Sequence, residues 1–140
     1  MDKNERNNLF QIEQKKQIEF SDKCDADFPE LMLGCFDNSC PSGWQQDVYE
    51  CLTELNKYVE EGVRVDQIKE KFAELRLYIS CSEAIDVEQA DIHKGCYNLI
   101  LDCEKKVNKK CQFTGKPAEK IIVNGVLWNV CKDIMVILNK

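Results

Sequence analysis

VRVDQIKEKFAELRLYIS, residues 63–80, decides the fold. In its second half Leu75, Leu77 and Ile79 alternate with Arg76, Tyr78 and Ser80, the period-two pattern of a strand with one buried face. The first half is less regular. Val63 and Val65 share one parity while Ile68 and Phe72 share the other, so one continuous flat strand cannot turn all four inward. A bulge near Asp66 or Gln67, or a shorter strand, resolves the conflict. The stretch therefore reads as a β-hairpin. Lys69 and Lys71 share one strand parity, and Arg76 and Tyr78 share one on the second strand. If those faces coincide, three cations and a phenol point the same way. Arg and Lys bind phosphate oxygens, and Tyr stacks on a ring or donates its hydroxyl. The alternative is a solvated sheet face with Glu70 and Glu74 as salt-bridge partners.

Outward from the hairpin, residues 44–60 predict a helix with Val48, Cys51, Leu52, Leu55 and Val59 on one face. Ser42 is its candidate N-cap and Gly62 its candidate C-cap glycine. Residues 84–108 predict the longest helix, with a stripe of Ile85, Ile92, Cys96, Leu99, Ile100, Cys103 and Val107. Asn124-Gly125 lies between the apolar runs 121–123 and 126–130, which is the strongest short hairpin signal in the chain. Residues 131–138 close the chain as a short helix or strand. Residues 5–18 predict a polar helix, and residues 19–43 read as irregular. The expectation is one α+β domain over 1–140. A helix and an irregular segment (1–43) precede a core (44–140), in which a small antiparallel sheet of two β-hairpins packs with three to four helices.

The chain has 140 residues, 44% hydrophobic and 31% charged, an ordinary globular composition for one domain. Its formal net charge of -6 argues against general nucleic-acid binding, which needs many phosphate contacts. It leaves room for a small anion held in a local cationic pocket. No apolar run approaches the ~20 residues that span a bilayer. The charged opening MDKNERNNLFQIEQKKQ lacks the apolar region of a secretory signal, so the expected location is cytoplasmic. The nine cysteines then read mostly as thiols, and an odd count leaves at least one without an intrachain partner. Cys51, Cys96 and Cys103 fall on apolar helix faces. Cys24, Cys35 and Cys40 share one irregular segment, but their spacing matches no zinc knuckle. His93 reads as a surface or boundary residue. No phosphate loop, dinucleotide fingerprint or metalloprotease motif is present, and no metal or cofactor is expected.

CPSGWQQDVYECLTEL (40–55) followed by the hairpin resembles a family of small, mostly uncharacterised bacteriophage and bacterial proteins. Those proteins carry a Cys-Gly-Asp-Gly-Trp lead-in to a helix, a V-K-E-K-F-G-x-L-R-F-Y hairpin, a C-x-x-C-G knuckle and a late Trp. The resemblance covers residues 40–132, through Cys40, Gly43, Trp44, Lys69, Glu70, Lys71, Phe72, Leu75, Arg76, Tyr78, Cys111, Gly115, Trp128 and Cys131. The second knuckle cysteine is Thr114 here, and Lys132, Asp133 and Ile134 stand where a further ligand is usual. Two thiolates cannot close a structural zinc site, so Cys111 and Cys131 are left to pack together or to form a disulfide. Ser42 replaces the Asp of the lead-in.

The resemblance implies a phage setting, and hence the host cytoplasm. Small proteins there counter host immunity, in some cases by sequestering a nucleotide-derived signal. The expected function is a non-enzymatic binding protein for a small anionic, nucleotide-like ligand. Lys69, Lys71 and Arg76 would neutralise phosphates, and Tyr78 and Trp44 would supply stacking or wall contacts. One alternative is a protein-protein interaction module or inhibitor of a host protein, using the acidic surface and residues 19–43. A third is an enzyme that degrades the signal. Sequestering proteins of this kind are often dimers or larger, so a homo-oligomer is compatible with this reading.

Overall fold

The computed structural model describes residues 2–139, with side chains from residue 3. The protein is α+β. In chain order come α1 (Asp2–Asp27), β1 (Asp37–Asn38), a 3-10 turn (Ser42–Trp44), α2 (Gln45–Asn56), a second 3-10 turn (Val59–Glu61), β2 (Val63–Lys71), β3 (Glu74–Cys81), α3 (Val87–Val107), β4 (Glu119–Val123), β5 (Val126–Val130) and α4 (Lys132–Leu138). Both expected hairpins form, β2–β3 and β4–β5, but they belong to separate sheets. The first sheet gains β1 as a short parallel edge strand, pairing Asp37 with Gln67 and Asn38 with Ile68.

The parity conflict in β2 is resolved by a register shift between Val65 and Gln67, which leaves Asp66 as the extra residue. The bulge returns Ile68 to the face already held by Val63 and Val65, and all three are fully buried. Across from Val65 and Ile68, Ile79 and Leu77 of β3 are buried, as is Leu75 further along the same face. Phe72 does not join them. It sits in the two-residue turn, at φ 54°, and is 66% exposed. The bulge, not a shorter strand, aligns the core face.

That core face packs against α2 and α3. Val48, Cys51, Leu52 and Leu55 come from α2, and Cys96, Ile100, Cys103 and Val107 from α3. Each large apolar side chain removed from water this way stabilises the fold by roughly 1.5–3 kcal/mol. Helix α3 begins at Val87, where the Asp86 carboxylate caps the Gln89 N–H at 2.8 Å. Ile85 therefore lies ahead of the helix and is exposed instead of belonging to the stripe. His93 is buried, its Nε2 2.6 Å from the Glu61 carbonyl oxygen, because its position on α3 faces the 59–61 turn and not solvent.

The expected irregular segment 19–43 is partly helix. Helix α1 continues to Asp27 because Phe20 and Cys24, one turn apart, bury a narrow stripe that continues to Phe28 beyond the helix end. Past it, the chain runs alongside β2. Val65 N–H donates to Leu31 O, Phe36 N–H to Asp66 O and Ser39 N–H to Ile68 O, at 2.8–3.0 Å. These bonds cover a strand edge that would otherwise be open.

A second, smaller core joins Cys111, Phe113, Val130, Cys131, Ile134 and Leu138. The 42–44 turn ties it to the first. Gly43 N–H donates to Gln112 O at 2.9 Å. A methyl on Gly43 would overlap the Cys111 carbonyl oxygen and crowd the Gly115 nitrogen at 2.6 Å. The glycine of CPSGW is there to let these two backbones touch.

Candidate functional site: the outer face of the first hairpin

Register, not sequence parity, settles where the cations point. Lys69 pairs directly with Arg76, Gln67 with Tyr78 and Lys71 with Glu74. Directly opposed residues share a face of an antiparallel pair, and alternate residues along each strand stay on it. Lys69, Lys71, Arg76 and Tyr78 therefore all lie on the outer face, opposite the buried one. Lys69 and Arg76 are half-buried, while Lys71 and Tyr78 are exposed.

Among the described residues none of the three cations forms a salt bridge. Glu74, the acid across from Lys71, is instead taken by Lys120 of β4 at 3.1 Å. Glu70 accepts the Ala73 N–H at 2.8 Å. Lys71 Nζ lies 5.6 Å from the centre of the Phe72 ring, at the hairpin tip. Arg76 feels the carboxylate of Glu104 on α3. Burial pushes the Glu104 carboxyl up; the Arg76 charge and the Leu77 N–H act the other way without overcoming it.

Trp44 is not part of this face. It is fully buried, and its indole Nε1–H donates to the Lys110 carbonyl at 2.9 Å. Start of helix α2 and start of the second core meet on this ring, so it is a packing residue. Lys110 continues the same junction through a 2.6 Å ion pair with Asp47.

The aromatic wall comes from elsewhere. A groove of about 370 Å³ runs beside Lys69, with Phe10, Phe113 and Trp128 among its lining residues. Phe10 stacks on Trp128, centroids 5.8 Å apart and planes 11° apart, and Phe113 tilts against both. Three carboxylates also line it, each held by neighbours. Asp37 accepts from Ser39 Oγ at 2.5 Å and Gln67 Nε2 at 3.2 Å. Glu13 accepts the Ser42 N–H at 2.9 Å and its hydroxyl. Glu70 is held by Ala73 as above. Sequence reasoning missed this groove because its walls come from α1, the 111–117 turn and β5, far apart in the chain. Phe10 on an otherwise polar helix was the available signal.

The knuckle-like turn carries thiols without a disulfide: all nine cysteines are free. Thr114 Oγ1 lies 3.5 Å from Cys131 Sγ. Burial acts to raise the Cys131 thiol, but hydrogen bonds from Thr114, the Ile134 and Asp133 backbone and Cys111 outweigh it and bring it down. Cys111 and Cys131 therefore pack together. Among the described residues no group of three or more His, Cys, Asp or Glu is placed to hold a metal ion, and no helix is long and apolar enough to cross a membrane. Comparison with protein-family models, with curated proteins and with solved structures gives no match.

Proposed function

We propose that this protein is a non-enzymatic binder of a small anionic, nucleotide-like ligand, held on the outer face of the first hairpin. The observation that carries this is the directly paired Lys69 and Arg76, free of salt bridges among the described residues, beside an aromatic groove in a chain of net charge -6. Cations without a direct ion pair, set side by side on a strand pair, are preorganised for phosphate oxygens. The groove carboxylates repel phosphate, so the phosphate belongs over Lys69, Arg76 and Lys71. The ring and sugar belong in the groove, where carboxylates accept from amino and hydroxyl groups. Trp128 and Phe113 take the wall role expected of Trp44.

The same chemistry favours holding over turnover. His93 is buried against Glu61 on the other side of the sheet from the cations. The groove acids are each engaged by neutral donors. In a phage setting, such a binder would sequester a nucleotide-derived host signal. A calorimetric panel of mononucleotides, cyclic dinucleotides and ADP-ribose derivatives tests the reading. The expected result is binding that weakens as salt rises, with the ligand recovered intact after heat denaturation. A panel without heat or thermal shift rejects it, and a cleaved ligand replaces it with the enzyme reading.

One observation favours the interaction-module alternative. Leu33 and Phe36, in the segment after α1, are 72% and 73% exposed. A stoichiometric host protein retained equally by wild type and Arg76→Ala would support that reading in place of the first.

A further inference from the structure

Cys51 on α2 and Cys103 on α3 meet across the helix interface. Cys51 Sγ lies 3.7 Å from the Leu99 carbonyl oxygen, one turn before Cys103. Cys103 Sγ lies 3.6 Å from the Asp47 carbonyl oxygen, one turn before Cys51. In this reciprocal crossing each thiol donates to a backbone carbonyl of the opposite helix one turn before the other cysteine, which makes the two sulfurs neighbours. Both line a groove of about 150 Å³ between the helices, so a small solute reaches them although they are only 7% and 4% exposed. Its rim carries Asp47, already paired with Lys110, together with Glu50, Glu54 and Asp102 beside Lys106.

We propose that Cys51 and Cys103 are a peroxide-oxidised thiol pair whose disulfide staples α2 to α3. The inference does not depend on the ligand reading. In the first step the Cys51 thiolate attacks an oxygen of hydrogen peroxide. The S–O bond forms, the O–O bond breaks, and the departing oxygen leaves as water after taking a proton. In the second step the Cys103 sulfur attacks the Cys51 sulfenic acid. The S–S bond forms, the S–O bond breaks, and hydroxide leaves with the Cys103 proton as a second water. Two thiols are oxidised and one peroxide is reduced to two waters.

Cys51 is suited to the first role. Beside Cys103 the Cys51 thiol is brought below its usual value despite burial, whereas Cys103 is pushed well up. Burial drives Cys24 up to about 12 and Cys96 up to about 11, so these are poor competitors. The acidic rim and small groove favour a neutral peroxide over an anionic, bulky oxidant such as glutathione disulfide.

The test is peptide mapping of the folded protein after hydrogen peroxide or glutathione disulfide, with remaining thiols alkylated. Peroxide is expected to remove about 2 Da and to yield a linked Cys51–Cys103 peptide, several-fold faster than glutathione disulfide at equal concentration. In Cys103→Ser, dimedone should trap sulfenic acid on Cys51. Peroxide oxidation confined to the half-exposed Cys35 and Cys81, with Cys51 and Cys103 still alkylatable, would overturn the proposal. So would a Cys51 sulfenic acid in wild type that never links to Cys103.

Discussion

At the residue scale, two side chains of the first hairpin's surroundings carry separable consequences. Arg76 lies beside Lys69 and near one acid of α3, Glu104, whose carboxyl is raised by burial. A carboxyl whose folded value lies above its unfolded value favours the protonated form. Its ionisation therefore costs stability once the pH rises through that window, and costs nothing below the unfolded value. Replacing Glu104 with Gln should raise Tm relative to wild type at neutral pH, with the gap closing in acid. Because Arg76 also loses its internal competitor, anion affinity should rise with it. A Tm difference that stays constant from acid to neutral pH contradicts the assignment. Trp44 is the second case. Its role is packing, so Trp44→Ala should cost about 3–5 kcal/mol in chemical denaturation. Trp44→Phe, which keeps most of the volume, should leave ligand affinity unchanged. A tenfold loss of affinity in the Phe variant would restore the wall role.

At the element scale, the two hairpins use the same turn with opposite legibility. Both central residues of each turn have positive φ: 50° and 81° for Asn124-Gly125, 54° and 63° for Phe72-Ala73. Such turns match the right-handed twist of the strands. Asn-Gly advertises that geometry in the sequence. Phe-Ala conceals it, and an aromatic amid strand residues reads as core, which is why Phe72 was expected inward. L-residues other than Gly, Asn and Asp are strained in this region by ~1–2 kcal/mol each. Phe72→Asn should therefore stabilise the protein by about 1 kcal/mol, because the exposed ring gives up little burial. A lower denaturation midpoint would mean the ring, with Lys71 above it, holds the tip in place. The parity conflict marked a bulge near Asp66 or Gln67 or a shorter strand, and the register places the bulge at Asp66. The extension of α1 to Asp27 was not, since Phe20 and Cys24 form too narrow a stripe to stand out from polar neighbours.

At the scale of the whole molecule, the fold class followed from period-two and period-3.6 patterns, because burial enforces them locally. The candidate site followed only in part. Lys69, Lys71, Arg76 and Tyr78 lie within ten residues, so strand register was enough to bring them to one face. The groove beside them is tertiary: Phe10, Phe113 and Trp128 meet only after α1 packs across the second core. No local pattern encodes that meeting. Trp44 was misplaced for the same reason. Its position ahead of a helix was clear, but not that the 111–115 turn would close over it. The two cores are joined at this point, through Gly43 against Gln112 and Trp44 against Lys110.

The central claim is that Lys69 and Arg76 act together as one anion site. Calorimetric titration of the best-binding nucleotide into wild type, Lys69→Ala, Arg76→Ala and the double variant tests it most directly. Each single change removes a charge-assisted contact of ~1.5–3 kcal/mol, so each should weaken binding at least about tenfold. The double variant should lose less than the two single losses combined, as expected for neighbours sharing one phosphate. Equal affinity in all four proteins, each shown folded by its unchanged Tm, would contradict the account.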